Sequence, residues 1–230
     1  MNSFFITGTD TGVGKTRTTL ALMTALKLRG LRVAGMKPVA TGCAPSPSGL
    51  RNQDAEMIRA CCGEEIPYEL INPYAFEPPV APLFAARAFR TLIEKTVIER
   101  AFTDLSNRAD TVMVEGVGGW RIRLGEGLQM SDLVQSMQLR VILVVGLRLG
   151  CINHALLSAA AIRDDGLRLA GWIANHIDPG YDRIGETVQL LSEEIQAPMI
   201  GLTPFSVKYD STATAAHLFP AGIDVLTGSN

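Results

Sequence analysis

The sequence lacks most of the features that mark special protein classes. It has no surplus of basic charge: 21 Lys and Arg stand against 23 Asp and Glu, a net of −2 over 230 residues. No face needs to be strongly basic, so neither nucleic acid nor an anionic membrane is implied as a partner. Its longest apolar runs, such as VILVVGL at 141 to 147, are too short to span a bilayer. The opening residues MNSFFITGTD lack the basic start and the small-residue cleavage site of a secretion signal. Cysteine is scarce, and Cys43, Cys61, Cys62 and Cys151 form no Cys-x-x-Cys. The spacing gives no sign of a cysteine-based metal or disulfide framework, and free thiols in a reducing cytoplasm are expected. There is no internal repeat and no low-complexity tract.

What is present is ample core material. Apolar residues make up 47% of the chain, enough for a large buried core. β-rich apolar runs at 3–7, 31–36, 110–115, 140–146, 168–174 and 198–201 alternate with helical patterns near 15–29, 53–62, 82–107, 131–138, 153–165 and 183–196. That rhythm predicts an α/β fold over residues 1–230 as one domain, with a mostly parallel β-sheet flanked by helices and joined by right-handed crossovers. Two stretches interrupt it: TGCAPSPSGLRNQD at 41 to 54 and INPYAFEPPVAPL at 71 to 83. Long irregular segments inside a compact domain are often functional, although ordinary surface connection explains them equally.

The first strand runs into TGTDTGVGKT, a glycine-rich turn that opens a helix and ends in Gly14-Lys15-Thr16. This is the context of a phosphate-binding loop. Gly12 and Gly14 let backbone N–H groups approach phosphate oxygens. The helix start adds a positive end, Lys15 reaches the β- and γ-phosphates, and the Thr16 hydroxyl suits Mg²⁺. The fold expected is therefore of the P-loop NTPase type. A Mg²⁺–nucleotide site also wants a carboxylate at a nearby strand end. Glu115 supplies it after Val112-Met113-Val114, and the following GVGG lets the backbone come close to a ligand. Asp54, at the end of the first irregular segment, is a second candidate on weaker grounds. Lys37 follows the second strand, on the same sheet edge as the loop. It reads either as a surface lysine or as a group that neutralises charge on a transferring phosphoryl group.

Together, TGTDTGVGKT, KPVATG, RNQDA, NPYAFEPPVAP, VEGVGGW, VILVVGLRLGCINHALL and LAGWIAN resemble the dethiobiotin synthetases, ATP-dependent enzymes late in biotin synthesis. The resemblance runs in order from residue 4 to about residue 205 and is weak beyond. It implies a reaction in which 7,8-diaminononanoate, CO₂ and MgATP give dethiobiotin, ADP and phosphate. The route passes through a carbamate and a mixed carbamic–phosphoric anhydride. It assigns Mg²⁺ to Thr16, Asp54 and Glu115, and catalysis to Lys15, Lys37 and Thr11. It places ATP against Gly12, Val13, Gly14, Lys15, Thr16, Arg17, Asp54, Glu115, Gly116, Val117, Gly118, Asn175, His176 and Pro204. Thr11, Lys37, Thr41, Gly118, Gly150, Cys151, Ile152 and Asn153 surround the substrate, the last four at a helix start expected near Asn153 whose N–H groups bind a carboxylate. In the family that segment comes from a partner subunit, which implies a homodimer of cytoplasmic enzymes with small-molecule substrates. Asn175 resembles the adenine-reading asparagine, and Trp120 either packs over the substrate, the reading favoured here, or fills core.

Three positions depart from the pattern: Thr41 stands where serine is frequent, His176 where aspartate is familiar, and Thr187 where some relatives carry a tyrosine. Two rival classes share the wider fold. Regulatory partitioning or septum-positioning ATPases carry a second lysine five residues before the main one, where this chain has Asp10. Amidating synthetases of tetrapyrrole precursors often carry a glutamine-hydrolysing domain, for which little length remains.

Overall fold

The computed structural model describes residues 2–63 and 66–228. Six parallel strands form the central sheet: β1 (Phe4–Gly8), β2 (Val33–Met36), β3 (Thr111–Glu115), β4 (Arg140–Leu147), β5 (Leu169–His176) and β6 (Met199–Thr203), in the order β6-β5-β4-β1-β3-β2. Their sequences are nearly continuous apolar runs because helices cover both faces. Phe5, Ile6, Val112, Val114, Ile142, Val144, Trp172 and Ile173 are all fully buried. With every strand parallel, all six carboxyl ends open on one edge, and β1 at the centre places its loop there.

Helix α1 (Lys15–Leu28) follows β1 directly, and α2 (Gln53–Cys62) follows the first irregular segment. That segment contains a small hairpin, Ala44–Ser46 against Gly49–Arg51. The second irregular segment contributes Tyr74–Ala75, paired in parallel with Val39–Ala40.

Two expectations need correction. The helix expected over 82–107 is two helices, Pro82–Ala88 and Lys95–Ser106. Arg90 turns into the left-handed region at φ 50°, and the Thr91 N–H closes onto the Ala86 carbonyl at 2.9 Å, which ends the first helix. The tail after residue 206, for which no element was expected, holds helices Ser211–Ala215 and Pro220–Thr227. It packs back on α1 and β6: the Tyr209 hydroxyl donates to the Arg17 carbonyl at 2.8 Å, and Gly201 bridges Leu218.

Candidate active site

The loop is set by what its glycines permit. Gly12 at φ +76° and Gly14 at φ +91° need the left-handed region that other residues adopt at a cost. Gly8 answers a different constraint, since a Cβ there would lie 2.5 Å from Val13 Cγ2. Val13 is buried beneath the loop, so it offers a ligand only its backbone. Lys15 Nζ folds back inside the loop and donates to the carbonyls of Asp10 at 2.9 Å and Gly118 at 2.6 Å. Burial dominates its charge state and lowers its pKa to about 8, against the opposing pull of Glu115. Asp10 has both carboxylate oxygens engaged. Oδ1 accepts from the Thr11 N–H at 2.7 Å, and Oδ2 from Arg148 Nη2 at 2.6 Å.

Four chain segments meet next to the loop. Thr16 Oγ1 donates to Glu115 Oε1 at 2.9 Å. Lys37 Nζ donates to the same oxygen at 2.6 Å and to Asp54 Oδ2 at 2.5 Å. Glu115 is 0% exposed and Lys37 5%. Burial alone would lower the Lys37 ammonium, but Glu115 and Asp54 outweigh it and hold the pKa above the usual lysine value. Lys37 is therefore no surface lysine. Asp54 lies in the first turn of α2, where the first irregular segment gives way to the helix expected near 53–62. Asn52 caps that helix, its Oδ1 accepting from the Ala55 N–H at 3.2 Å. Asn72 fixes the other flank by donating to the Lys37 carbonyl at 2.7 Å.

The residues present suit Mg²⁺. Glu115 Oε2 is buried with no hydrogen-bond partner, and an orphaned carboxylate oxygen there is costly unless something fills its place. With the Thr16 hydroxyl and the Asp54 carboxylate it makes an all-oxygen donor set of the kind that holds Mg²⁺ beside phosphates.

These groups line a recess of about 350 Å³ that also includes Thr11, Gly12, Gly14, Arg17, Thr41, Asn52, Val117 and Gly118. A second recess of about 400 Å³ adjoins it across Gly12, Gly14 and Arg17. Its far wall is Asn175, His176, Ile177, Phe205, Ser206 and Val207. Asn175 Nδ2 donates to the Val13 carbonyl at 2.8 Å, and its Oδ1 accepts from Thr203 Oγ1 at 2.5 Å. His176 Nε2 meets the Asp178 carbonyl at 2.7 Å, and its ring stands edge-on to Phe205 with centroids 6.0 Å apart. Arg17 Nη1 donates to the Ser206 carbonyl at 2.6 Å, which ties this wall to α1.

Other expected residues lie outside both recesses. Gly116 faces the core, where a Cβ would meet Phe5 Cζ at 2.7 Å. Pro204 is exposed beside Phe205. Gly150, Cys151, Ile152 and Asn153 begin helix Cys151–Asp164, two residues before the expected start, and line neither recess. Of the two readings of Trp120, the structure matches core: it is buried against Phe5, and its Nε1 donates to Asp165 Oδ2 at 2.7 Å. Tyr181 and Thr187 hydrogen-bond each other at 2.6 Å. The sequence reading missed Asn52, Arg148 and Thr203. Only Asn52 carried a usable signal, as an asparagine immediately before a helical run.

Known proteins resemble this chain at two levels. A family model described as an AAA domain matches residues 2–212. The ATP-dependent dethiobiotin synthetase BioD of Xanthomonas euvesicatoria is 47% identical, covering 94% of this chain and 96% of the relative. That of Pseudomonas aeruginosa is 46% identical, covering 95% and 96%. Among solved structures, the MinD cell division protein of Aquifex aeolicus superposes with a TM-score of 0.59 over 99% of this chain and 96% of its own, at 18% identity. The signal recognition particle receptor FtsY of Elizabethkingia anophelis gives 0.51 over 98% and 64%, at 17% identity. At such identities the structural likeness concerns the fold alone.

Proposed function

The chain belongs to the ATP-dependent dethiobiotin synthetases, and we propose that it closes the ureido ring of dethiobiotin from 7,8-diaminononanoate, CO₂ and MgATP in the recess between Lys15 and Lys37. One observation carries the reading to these residues. Lys15, Lys37, Asp54 and Glu115 converge from four separate segments on one recess at the phosphate loop.

The chemistry asks for that arrangement. One substrate amine adds to CO₂ and loses a proton, giving a carbamate. A carbamate oxygen attacks the γ-phosphorus, and the bond to ADP breaks. The second amine then attacks the carbamoyl carbon, inorganic phosphate leaves, and a further proton is lost as the ring closes. The covalent intermediate stays on the substrate, so no protein nucleophile is required. Two anions must be held together against their repulsion, and Lys15 and Lys37 supply fixed positive charge for that. Mg²⁺, bound through Thr16, Asp54 and Glu115, would offset charge on the phosphate oxygens. Thr11 and Thr41 offer hydroxyls to the diamine and carbamate. Holding both amines beside the phosphoryl group removes an entropic cost of several kcal/mol. Asn175 and His176 border the base, with Pro204 holding the chain that leads into Phe205, and the N–H groups of Gly12, Val13, Gly14 and Arg17 surround the phosphates with Val117 and Gly118, which Gly116 supports from the core.

The reading also includes a cytoplasmic homodimer, built from one domain over residues 1–230. In it Gly150, Cys151, Ile152 and Asn153 serve the substrate carboxylate of the partner's site. The position of this helix start away from the recess of its own chain, with Gly150 and Asn153 exposed and Leu149 89% exposed, supports this. Asp10, bound by Arg148 where a switch ATPase carries lysine, weighs against a regulatory partitioning role.

The test is to incubate the protein with MgATP, bicarbonate and 7,8-diaminononanoate and to look for dethiobiotin by mass. ATP hydrolysis without that product, stimulated instead by DNA or lipid, would sink the reading.

A further inference from the structure

The side-chain amide of Asn175 is a tightly constrained polar group that the ring closure does not use. It sits near the end of β5 with Val13 on one side and Thr203 on the other, all three buried. The Val13 carbonyl can only accept a hydrogen bond, so it fixes which end of the amide is nitrogen. The Thr203 hydroxyl then donates to Oδ1 at 2.5 Å, in preference to the Ala174 carbonyl at 3.5 Å. Gly14 backs the amide so closely that a Cβ would fall 2.1 Å from Nδ2. One N–H of Nδ2 and one lone pair of Oδ1 remain unused. Asn175 thus offers the recess one donor and one acceptor in a fixed order.

Purines differ in the pattern that would meet this pair. Adenine presents the N7 acceptor beside the N6 amine donor, and guanine presents N7 beside the O6 acceptor. An amide of fixed orientation complements the first and opposes its own oxygen to O6 of the second. We infer that Thr203, which belongs to none of the nucleotide motifs, sets the base selectivity of this site by holding Asn175 in the orientation that fits adenine. Thr203 is a positioning residue: it acts through Asn175. The inference rests on the second recess being the base site of the proposed reaction.

Thr203→Val keeps the shape and removes the hydroxyl, and Thr203→Ser restores it. The quantity to read is the ratio of kcat/KM for ATP to that for GTP in dethiobiotin formation. The ratio should fall about fivefold to tenfold in Thr203→Val, the equivalent of one net hydrogen bond. The loss should appear in the KM for ATP, and Thr203→Ser should recover it. An unchanged ratio overturns the inference, and so does an equal loss for both nucleotides, which marks a merely structural role. Wild-type protein gives a check independent of folding: by calorimetry, a purine ribonucleoside triphosphate without the 6-amino group should bind about tenfold more weakly than ATP, and equal binding overturns the idea. Absence of dethiobiotin from the wild-type reaction would refute the proposed function instead, and calorimetric binding of ATP and GTP to wild type and Thr203→Val would still judge Thr203, an unchanged ATP-to-GTP affinity ratio overturning its role.

Discussion

Replacing Lys37 with methionine separates its role in stability from its role in chemistry. The stem stays and the ammonium goes. Glu115, 0% exposed, then keeps only the Thr16 hydroxyl, because its Oε2 already has no partner. Removing one member of a buried ion pair costs about 3–5 kcal/mol, since the remaining charge is buried and uncompensated. Asp54 adds little, because its side chain is 41% exposed and water screens it. In a chain of this length each kcal/mol lowers Tm by about 2–4 °C, so Lys37→Met should melt roughly 6–20 °C lower. The assay is urea and thermal unfolding without nucleotide or Mg²⁺. The Lys37→Met/Glu115→Gln pair removes both charges and should regain about 2 kcal/mol or more, while dethiobiotin formation stays abolished. A single variant within about 1 kcal/mol of wild type refutes the stability argument, because the pair's attraction would then only balance its desolvation. A double variant that turns over normally removes Lys37 from the chemistry.

Three further outcomes are expected. Lys15 has a free-state pKa of about 8, and phosphate oxygens raise it in the complex. Binding therefore takes up a proton, with full affinity below pH 8 and a loss of about tenfold per unit above it. Calorimetry with a non-hydrolysable ATP analogue in buffers of different ionisation enthalpy reads this directly, and affinity constant from pH 7.5 to 9.5 contradicts it. Arg148→Ala releases Asp10 Oδ2, leaving only the Thr11 N–H on Oδ1, and slackens the first turn of the loop. The KM for ATP should rise several-fold while unfolding free energy changes by less than about 1 kcal/mol, as for a half-exposed pair. Gly14→Ala combines a left-handed φ of 91° with a contact at 2.1 Å from Asn175. It should lose about 2 kcal/mol or more of stability and most nucleotide binding in the same titration.

How much was legible in the sequence depended on the range of the physics involved. The six strands and the loop are local patterns: apolar runs buried on both faces, and glycines at fixed offsets before Lys15. They appeared in place with shifts of a residue or two at their ends. Glu115 was legible because a strand end aims a side chain at the sheet edge. Lys37 stayed open between two readings until topology brought its strand beside β3, so that its ammonium reached Glu115 and Asp54. Arg148 and Thr203 could not be read, because their partners lie 138 and 28 residues away and a single arginine or threonine has no periodicity to betray it. Trp120 stayed open for the same reason: it follows GVGG in sequence, but its indole finds Asp165, 45 residues away. The break within 82–107 turned on one left-handed arginine, Arg90, a residue type that gives no such warning.

The charges at the recess explain why such a cluster can exist before any substrate arrives. Two ammonium groups, Lys15 and Lys37, face two carboxylates, Asp54 and Glu115, so opposite charges offset one another at the junction. A neutral cluster can be buried at far lower cost than any one of its members alone. Each lysine is also restrained, Lys15 by two carbonyls and Lys37 by two carboxylates. Neither has to be ordered when the nucleotide binds, and donors fixed in advance need no reorganisation as charge develops. The restraints differ in kind, and that difference assigns the work. Carbonyls hold an ammonium weakly enough to release it to a phosphate, which fits Lys15 as the group that follows the nucleotide. Lys37 is gripped by full charges and stays at the junction of the recess with Glu115 and Asp54, the position from which an ammonium can face both a carbamate and the phosphoryl group it attacks.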